Sequence, residues 1–430
     1  MDDLVLTSEE RGWLDGAGGP GVRRAMEIVV ALGRIYGARE LTPVKHVQIA
    51  GVSYKNLGDA GVAFLRRWAA EGARASVPAT LNPMGMERGR WRSWGIPSSF
   101  ADPQLEGIKA FAEMGILPTL SCTPYLLADY VPRRGDSLAW AESSAVAFAN
   151  SVIGARSNRE GGPSALAAAI VGRTARYGYH LDINRRATIV VEVRCPVRSI
   201  ADFGALSYLV GKAVGNGVPW FADLGAWLPD LNSDVTLGGP AVDRLKTLGA
   251  GLAAYGAVAL YHIQGYTPEA RDAGERLITP DATKLSITTL DEAYRVMDAD
   301  PQEREIDLVT IGCPHASLSE LEEIAEALRG RHLATRLWVT TAEITRRRGL
   351  ELGFVQTIEK AGGEVVADTC AVVAPMRLLG VRSMATNAGK MACYAPMHSG
   401  VRMRYGDLPE CLSAAMTGVW PEVGTPSSTE

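Results

Sequence analysis

Residues 306–367, IDLVTIGCPHASLSELEEIAEALRGRHLATRLWVTTAEITRRRGLELGFVQTIEKAGGEVVA, decide the fold. The apolar run 306–311 predicts a buried strand, and residues 317–328 follow as a helix opened by the capping pair Ser317 and Glu320. Residues 336–340 predict a second strand, 342–361 a helix closed by Gly362-Gly363, and 364–367 a third strand. Short strands alternating with helices predict a mostly parallel sheet with helical covers. This βαβαβ unit makes the chain an α/β protein.

The alternation continues outward on the amino-terminal side. Residues 21–36 predict a helix, 44–50 a strand, 60–71 a helix and 74–78 a short strand. A mixed, turn-rich stretch, 265–289, sets a boundary near residue 290. The expected organisation is an α/β region 1–290, a βαβαβ-containing domain 291–420 and a flexible tail 421–430.

The chain has 430 residues, 47% hydrophobic and 21% charged, enough to bury large cores. With 44 basic against 48 acidic side chains and a net charge of −4, there is no global electrostatic reason to bind nucleic acid or an anionic membrane. The opening MDDLVLTSEERGWLDG is acidic where an export signal needs a basic start and an apolar run, so a cytoplasmic location is expected. Residues 249–261 form the longest weakly polar run, short of the roughly 18–20 residues that cross hydrocarbon.

Several motifs fail on context. Gly16-Ala-Gly-Gly-Pro-Gly21 matches a dinucleotide-loop expression but follows an acidic helical segment rather than a buried strand. No Walker A cradle precedes Lys212 or Lys390, and no C-x-x-C, H-E-x-x-H or G-x-S-x-G occurs.

Cysteine placement carries the chemistry. Cys122 follows the strand-like residues 115–121, Cys313 follows 306–312, and Cys370 follows 364–369. One such cysteine alone reads as a small buried hydrophobe. Three in the same situation point to convergence on one metal, because carboxyl ends of strands line the ligand crevice of open α/β sheets. Cys195, Cys393 and Cys411 are assigned to packing.

Polar groups cluster elsewhere too. Residues 140–164 set Glu142, Ser143, Asn150, Ser151, Arg156, Asn158, Arg159 and Glu160 among small side chains, either as a ligand-facing segment or as a solvated helix face. Gly51-Val-Ser-Tyr-Lys55 ends a strand with glycine, hydroxyls and a cation suited to an anionic group. Leu81-Asn-Pro-Met-Gly85 and Asn387-Ala-Gly-Lys390 read as loops that add an amide and a lysine.

Taken together, Gly51-Val-Ser-Tyr-Lys55, Thr80-Leu-Asn-Pro83, Ser121-Cys-Thr-Pro-Tyr125, the block from Glu142 to Ser164, Gly312-Cys-Pro-His315, Asp368-Thr-Cys370 and Thr386-Asn-Ala-Gly-Lys390 resemble the aconitase X family over nearly the whole chain. The resemblance implies several three-layer αβα subdomains around a central crevice, aconitase-like, lacking the swivelling small domain. It implies an iron–sulfur cluster on Cys122, Cys313 and Cys370, most simply 4Fe-4S, with another iron–sulfur type or mononuclear iron as alternatives. It places substrate among Gly51, Val52, Ser53, Asn82, Pro83, Glu142, Ser143 and Lys390.

Length resembles the large subunit of the family's two-subunit form, so a small partner carrying the swivelling domain and the catalytic base is expected, with Glu142 as the candidate acid or base on this chain. The family dehydrates either (R)-5-phosphomevalonate or cis-3-hydroxy-L-proline. The loops at Gly51 and Asn82 resemble the former branch, and a non-catalytic binding or structural subunit is the alternative from another class.

Overall fold

The computed structural model describes residues 4–231 and 235–422. Three parallel sheets and one antiparallel pair carry the backbone. The first sheet orders Ala79–Leu81, His46–Ile49 and Leu138–Trp140, with His46–Ile49 in the middle. The second orders His262–Ile263, Pro219–Phe221, Ala187–Val193 and Ile278–Ile287. The third orders Glu364–Val366, Arg336–Thr341, Leu308–Ala316, Ser383–Thr386 and Arg402–Tyr405. Leu41–Pro43 and Arg173–Ala175 form the antiparallel pair.

The third sheet shows why such runs are apolar throughout. Side chains alternate across a strand, so one face of Leu308–Ala316 and its neighbours sends Val309, Ile311, Leu337, Val339 and Val365 against the helices Leu318–Leu328, Phe354–Lys360 and Leu408–Thr417. The other face sends Leu308, Trp338, Val366 and Met384 into the main core. Both faces are covered, which gives a three-layer α/β/α unit. Ser317 caps Leu318–Leu328 as expected: its Oγ accepts from the Glu320 N–H at 3.2 Å, and its own N–H donates to Glu320 Oε2 at 2.9 Å.

The departures have local causes. Residues 342–361 form two helices, Glu343–Glu351 and Phe354–Lys360, because Gly353 takes φ 85° between them. The helix expected at 60–71 is Tyr54–Ala70, kinked at Gly58, whose φ of 56° interrupted the apolar pattern. Residues 74–78 form no strand: Ala75 and Ser76 donate backbone N–H to Met114 and Ala169, and the strand starts at Ala79. The turn-rich reading of 265–289 missed the ten-residue strand Ile278–Ile287, an edge strand that tolerates Pro280 and a polar sequence. Residues 423–430, most of the expected tail, lie outside the described residues.

Two cysteine placements also change. Residues 115–121 make a single bridge, Thr80 to Leu117, rather than a strand, since Pro118 cannot donate to a ladder. Cys313 does not close a strand; it sits inside Leu308–Ala316, where the register with Arg336–Thr341 shifts between Ile311 and Ala316. The bulge carbonyls of Gly312 and Ala316 accept from the Thr340 and Thr341 hydroxyls at 2.7 and 2.6 Å. A bulge bends its strand and re-aims the side chains it carries.

Gly312 at φ 100° makes that bulge possible, and a β-carbon there would collide with the Thr340 carbonyl oxygen. Gly312→Ala is expected to lower stability by about 2–4 kcal/mol, through left-handed strain plus the collision. The denaturation midpoint should fall at constant slope. Gly89→Ala, with nothing within 4 Å of the added carbon, should be neutral in the same measurement.

Candidate active site

Carboxyl ends of strands from two sheets face one another across a cavity of about 250 Å³. From the first sheet come the turn at Gly51, Val52 and Ser53 after His46–Ile49, Asn82 and Pro83 after Ala79–Leu81, and Glu142 and Ser143 after Leu138–Trp140. From the third come Cys313 in its bulge, Cys370 beyond Glu364–Val366, and Lys390 in the first turn of Gly389–Ser399. Cys122 completes the wall. The three cysteines and the eight substrate positions implied by the family resemblance therefore line one space. Cys195 and Cys411 are buried away from it, Cys393 is half-buried, and all six cysteines are free thiols.

Glu142 is the polar centre. It is the N-cap of Ser143–Phe148 and accepts from the Ser144 N–H at 3.3 Å and the Ser144 hydroxyl at 3.0 Å. Its other oxygen accepts from Asn82 Nδ2 at 2.7 Å. Lys390 Nζ donates to the same carboxylate and to Ser144 Oγ at 3.4 Å. Burial opposes ionisation of Glu142, but the Lys390 charge and the hydrogen bonds from Lys390, Asn82 and Ser144 outweigh it and hold its pKa at about 2. Burial likewise works against the Lys390 ammonium, and the Glu142 charge more than reverses it. The pair stays ionised across the physiological range.

Sequence reasoning missed three buried polar residues that place these groups. Gln48 donates to the Ser121 carbonyl at 2.9 Å and to Asn82 Oδ1 at 3.5 Å. Gln104 accepts from the N–H of both Tyr54 and Gly85 at 2.8 Å and donates to the Val52 carbonyl at 3.0 Å, joining the Gly51 and Asn82 loops. His315 donates its backbone N–H to Cys122 Sγ at 3.3 Å, and its ring meets Ser121 Oγ and the Thr369 carbonyl, each at 3.2 Å. A carbonyl only accepts, so Nε2 carries the proton and Nδ1 accepts from Ser121. Burial lowers the ring to about 4, keeping it neutral. The one sequence signal for Gln48 was an amide inside an otherwise apolar strand.

Other expectations shift. Lys55 is not on the wall; it donates to Ser399 Oγ at 3.2 Å, and Ser53 Oγ donates to the Val373 carbonyl at 3.1 Å. Residues 140–164 are a strand end, a short helix, a π turn and a second helix rather than one helix. Asn150 and Ser151 there brace the core, through the Ser157 and Ala259 carbonyls and the Tyr261 N–H.

Behind the site, Lys246 is fully buried between Asp243 and Glu320 and donates to the His315 carbonyl at 3.1 Å. The Cys370 loop is held from the other side, where Arg88 forks onto Asp368 at 2.8 and 3.0 Å and the Met84 N–H donates to the Asp368 carbonyl at 2.9 Å.

Consecutive models for the first, second and third domains of aconitase X match residues 3–183, 187–295 and 306–417. A phosphomevalonate dehydratase large subunit from Methanocaldococcus jannaschii is 45% identical over 95% of this chain and 99% of the relative. A cis-3-hydroxy-L-proline dehydratase from Hypocrea jecorina is 34% identical over 96% of this chain and 69% of the relative. The crystal structure of Thermococcus kodakaraensis aconitase X in its holo-form superposes at a TM-score of 0.84 with 43% identity, covering 96% of this chain and 100% of that one. Matching domain models end to end, and a shared backbone, place the chain in the aconitase X family.

Proposed function

We propose that the chain is the large subunit of a cytoplasmic hydro-lyase that dehydrates (R)-5-phosphomevalonate to trans-anhydromevalonate 5-phosphate, a step of isoprenoid precursor synthesis. The charge inventory of the cavity carries the reading. Its wall holds two permanent cations, Lys390 and Arg159, against one carboxylate, Glu142. Both Glu142 oxygens are already committed to Lys390, Asn82 and Ser144. A substrate with a carboxylate and a phosphate suits that balance. The ring ammonium of cis-3-hydroxy-L-proline would need an uncommitted anion, which this wall does not offer. The relatives named for phosphomevalonate dehydration are also more similar than those named for hydroxyproline dehydration.

The donor set fits an iron–sulfur cluster. Cys122 and Cys370 reach the cavity from loops and Cys313 from its strand bulge, and each thiol is raised by burial, Cys122 to about 12. Thiols held neutral by burial become thiolates on binding iron. When bound, a 4Fe-4S cluster with three cysteine ligands supplies a Lewis acid for departure of the substrate hydroxyl.

The chain's own residues bind and orient. An ammonium has three donors; Lys390 gives two to Glu142 and Ser144 and keeps one for the substrate carboxylate. Asn82 and Ser143 flank the same carboxylate of Glu142 and fix its orientation. A group held ionised near pH 2 is a weak base. By resemblance to aconitases, the base is assigned to the small partner subunit, whose closure also excludes water.

In anaerobic reconstitution with the small subunit, turnover of phosphomevalonate is expected and turnover of cis-3-hydroxy-L-proline is not; the reverse result would reassign the substrate. The large chain alone should be inactive. Iron content and brown colour should be lost in Cys122→Ser, Cys313→Ser or Cys370→Ser and kept in Cys411→Ser, and full iron retention in Cys313→Ser would remove that ligand. Lys390→Ala should cost about 3–5 kcal/mol of stability by leaving Glu142 buried and unpaired, and the double variant Glu142→Gln/Lys390→Met should regain most of it. The depressed Glu142 pKa adds stability that is complete above its unfolded value. That contribution should fade as pH drops toward about 2, as acid titration of the wild type against the double variant would show.

A further inference from the structure

Arg159 stands on the cavity wall with Tyr394 and His398, exposed, and among the described residues its guanidinium makes no ion pair or hydrogen bond. That is unusual in its surroundings. Arg156 pairs with Asp182, Arg185 with Glu269 and Arg134 with Asp272. The adjacent carboxylate, Glu160, is turned away and accepts from Ser164 and Thr174 at 2.6 and 2.7 Å.

The backbone beneath Arg159 is nonetheless fixed. It bridges Trp140, the Glu160 N–H donates to the Trp140 carbonyl at 3.0 Å, and the neighbouring Asn158 side chain donates to the Tyr177 carbonyl at 3.0 Å. A free cation on a rigid base, facing a cavity, is a preorganised anion site.

The two cations divide by position. Lys390 is largely buried against Glu142, whereas Arg159 is exposed, so the reacting end of the substrate is placed at Lys390 and its distal end at Arg159. In the substrate the carboxylate is one methylene from the hydroxyl-bearing carbon, whereas the phosphate lies beyond a longer ethylene-oxy arm. Lys390 therefore meets the carboxylate. A guanidinium offers a planar fork that matches phosphate oxygens two at a time.

We propose that Arg159 binds the substrate phosphate and sets the preference for a phosphorylated substrate. The assignment rests on the dehydratase reading above. It separates specificity from chemistry within one cavity: the distal anion is held by Arg159, and the reacting end by Lys390, which Glu142 and Asn82 position.

The test uses the anaerobically reconstituted two-subunit enzyme. Arg159→Ala should raise KM for phosphomevalonate about 30- to 100-fold, with kcat within about threefold of wild type. Iron content and visible absorbance should be unchanged, and Arg159→Lys should recover part of the KM. Inorganic phosphate, as a probe, should compete with substrate in the wild type and lose at least about tenfold in potency on Arg159→Ala. Unchanged KM and phosphate inhibition in Arg159→Ala, with a wild type that turns over phosphomevalonate, would overturn the assignment and leave the dehydratase reading intact. A fall in kcat at constant KM would overturn it too, by moving Arg159 to the chemical step. A wild type that ignores phosphomevalonate and dehydrates cis-3-hydroxy-L-proline would overturn the substrate reading and this assignment with it.

Discussion

A buried histidine that has to remain neutral holds the cysteine loops in register. His315 has no exposed surface, and its backbone N–H, its two ring nitrogens and its carbonyl are all paired. Each buried polar group left without a partner costs about 1–3 kcal/mol, so the arrangement is stable only when every partner is in place. Those partners belong to the loops of Cys122 and Cys370 and to Lys246. The ring thus acts as a spacer between segments that local structure alone would not bring together. Its donor and acceptor sides are not interchangeable, so the loops can dock in one way only.

The Glu142–Lys390 pair imposes a second constraint of opposite character. It joins residues 248 positions apart in sequence, and removing both ions from water is expensive unless the remaining hydrogen-bonding capacity is filled. Asn82 and Ser144 fill it on the carboxylate. The chain accepts that cost on the wall of the cavity, where the charges are held fixed. The same economy explains why Glu142 serves poorly as a proton acceptor. Bonds that fix its position also lower its basicity.

Legibility of the sequence followed the range of the interactions. The repeat of strand and helix in 306–367 was readable because periodicity and caps are local, and Ser317 with Glu320 formed the box their spacing predicts. Gly353 was read as a helical residue because one glycine in a long pattern is a weak break, and its positive φ emerges only in the folded chain. Ile278–Ile287 was invisible because an edge strand is not obliged to be apolar. The cysteines and polar motif residues could be named from sequence, whereas the bulge that aims Cys313 could not, since it depends on Thr340 and Thr341 hydroxyls from the neighbouring strand. His315, Gln48 and Gln104 form contacts that cross tens to hundreds of positions and leave no periodic trace.

Glu320 belongs to two systems at once. It closes the capping box of Leu318–Leu328 and shares its carboxylate with the buried Lys246, whose ammonium also grips the His315 carbonyl. Burial raises this carboxyl above the ordinary carboxylate range, against the pull of Lys246 and with the push of Asp243. Helix termination and cysteine geometry are thereby made one cooperative unit. In a natural variant with an altered Ser317 or Glu320, a fault that began as a frayed helix end would present itself as a misplacement of the cysteine loops, and the two could be told apart only by asking which is lost first.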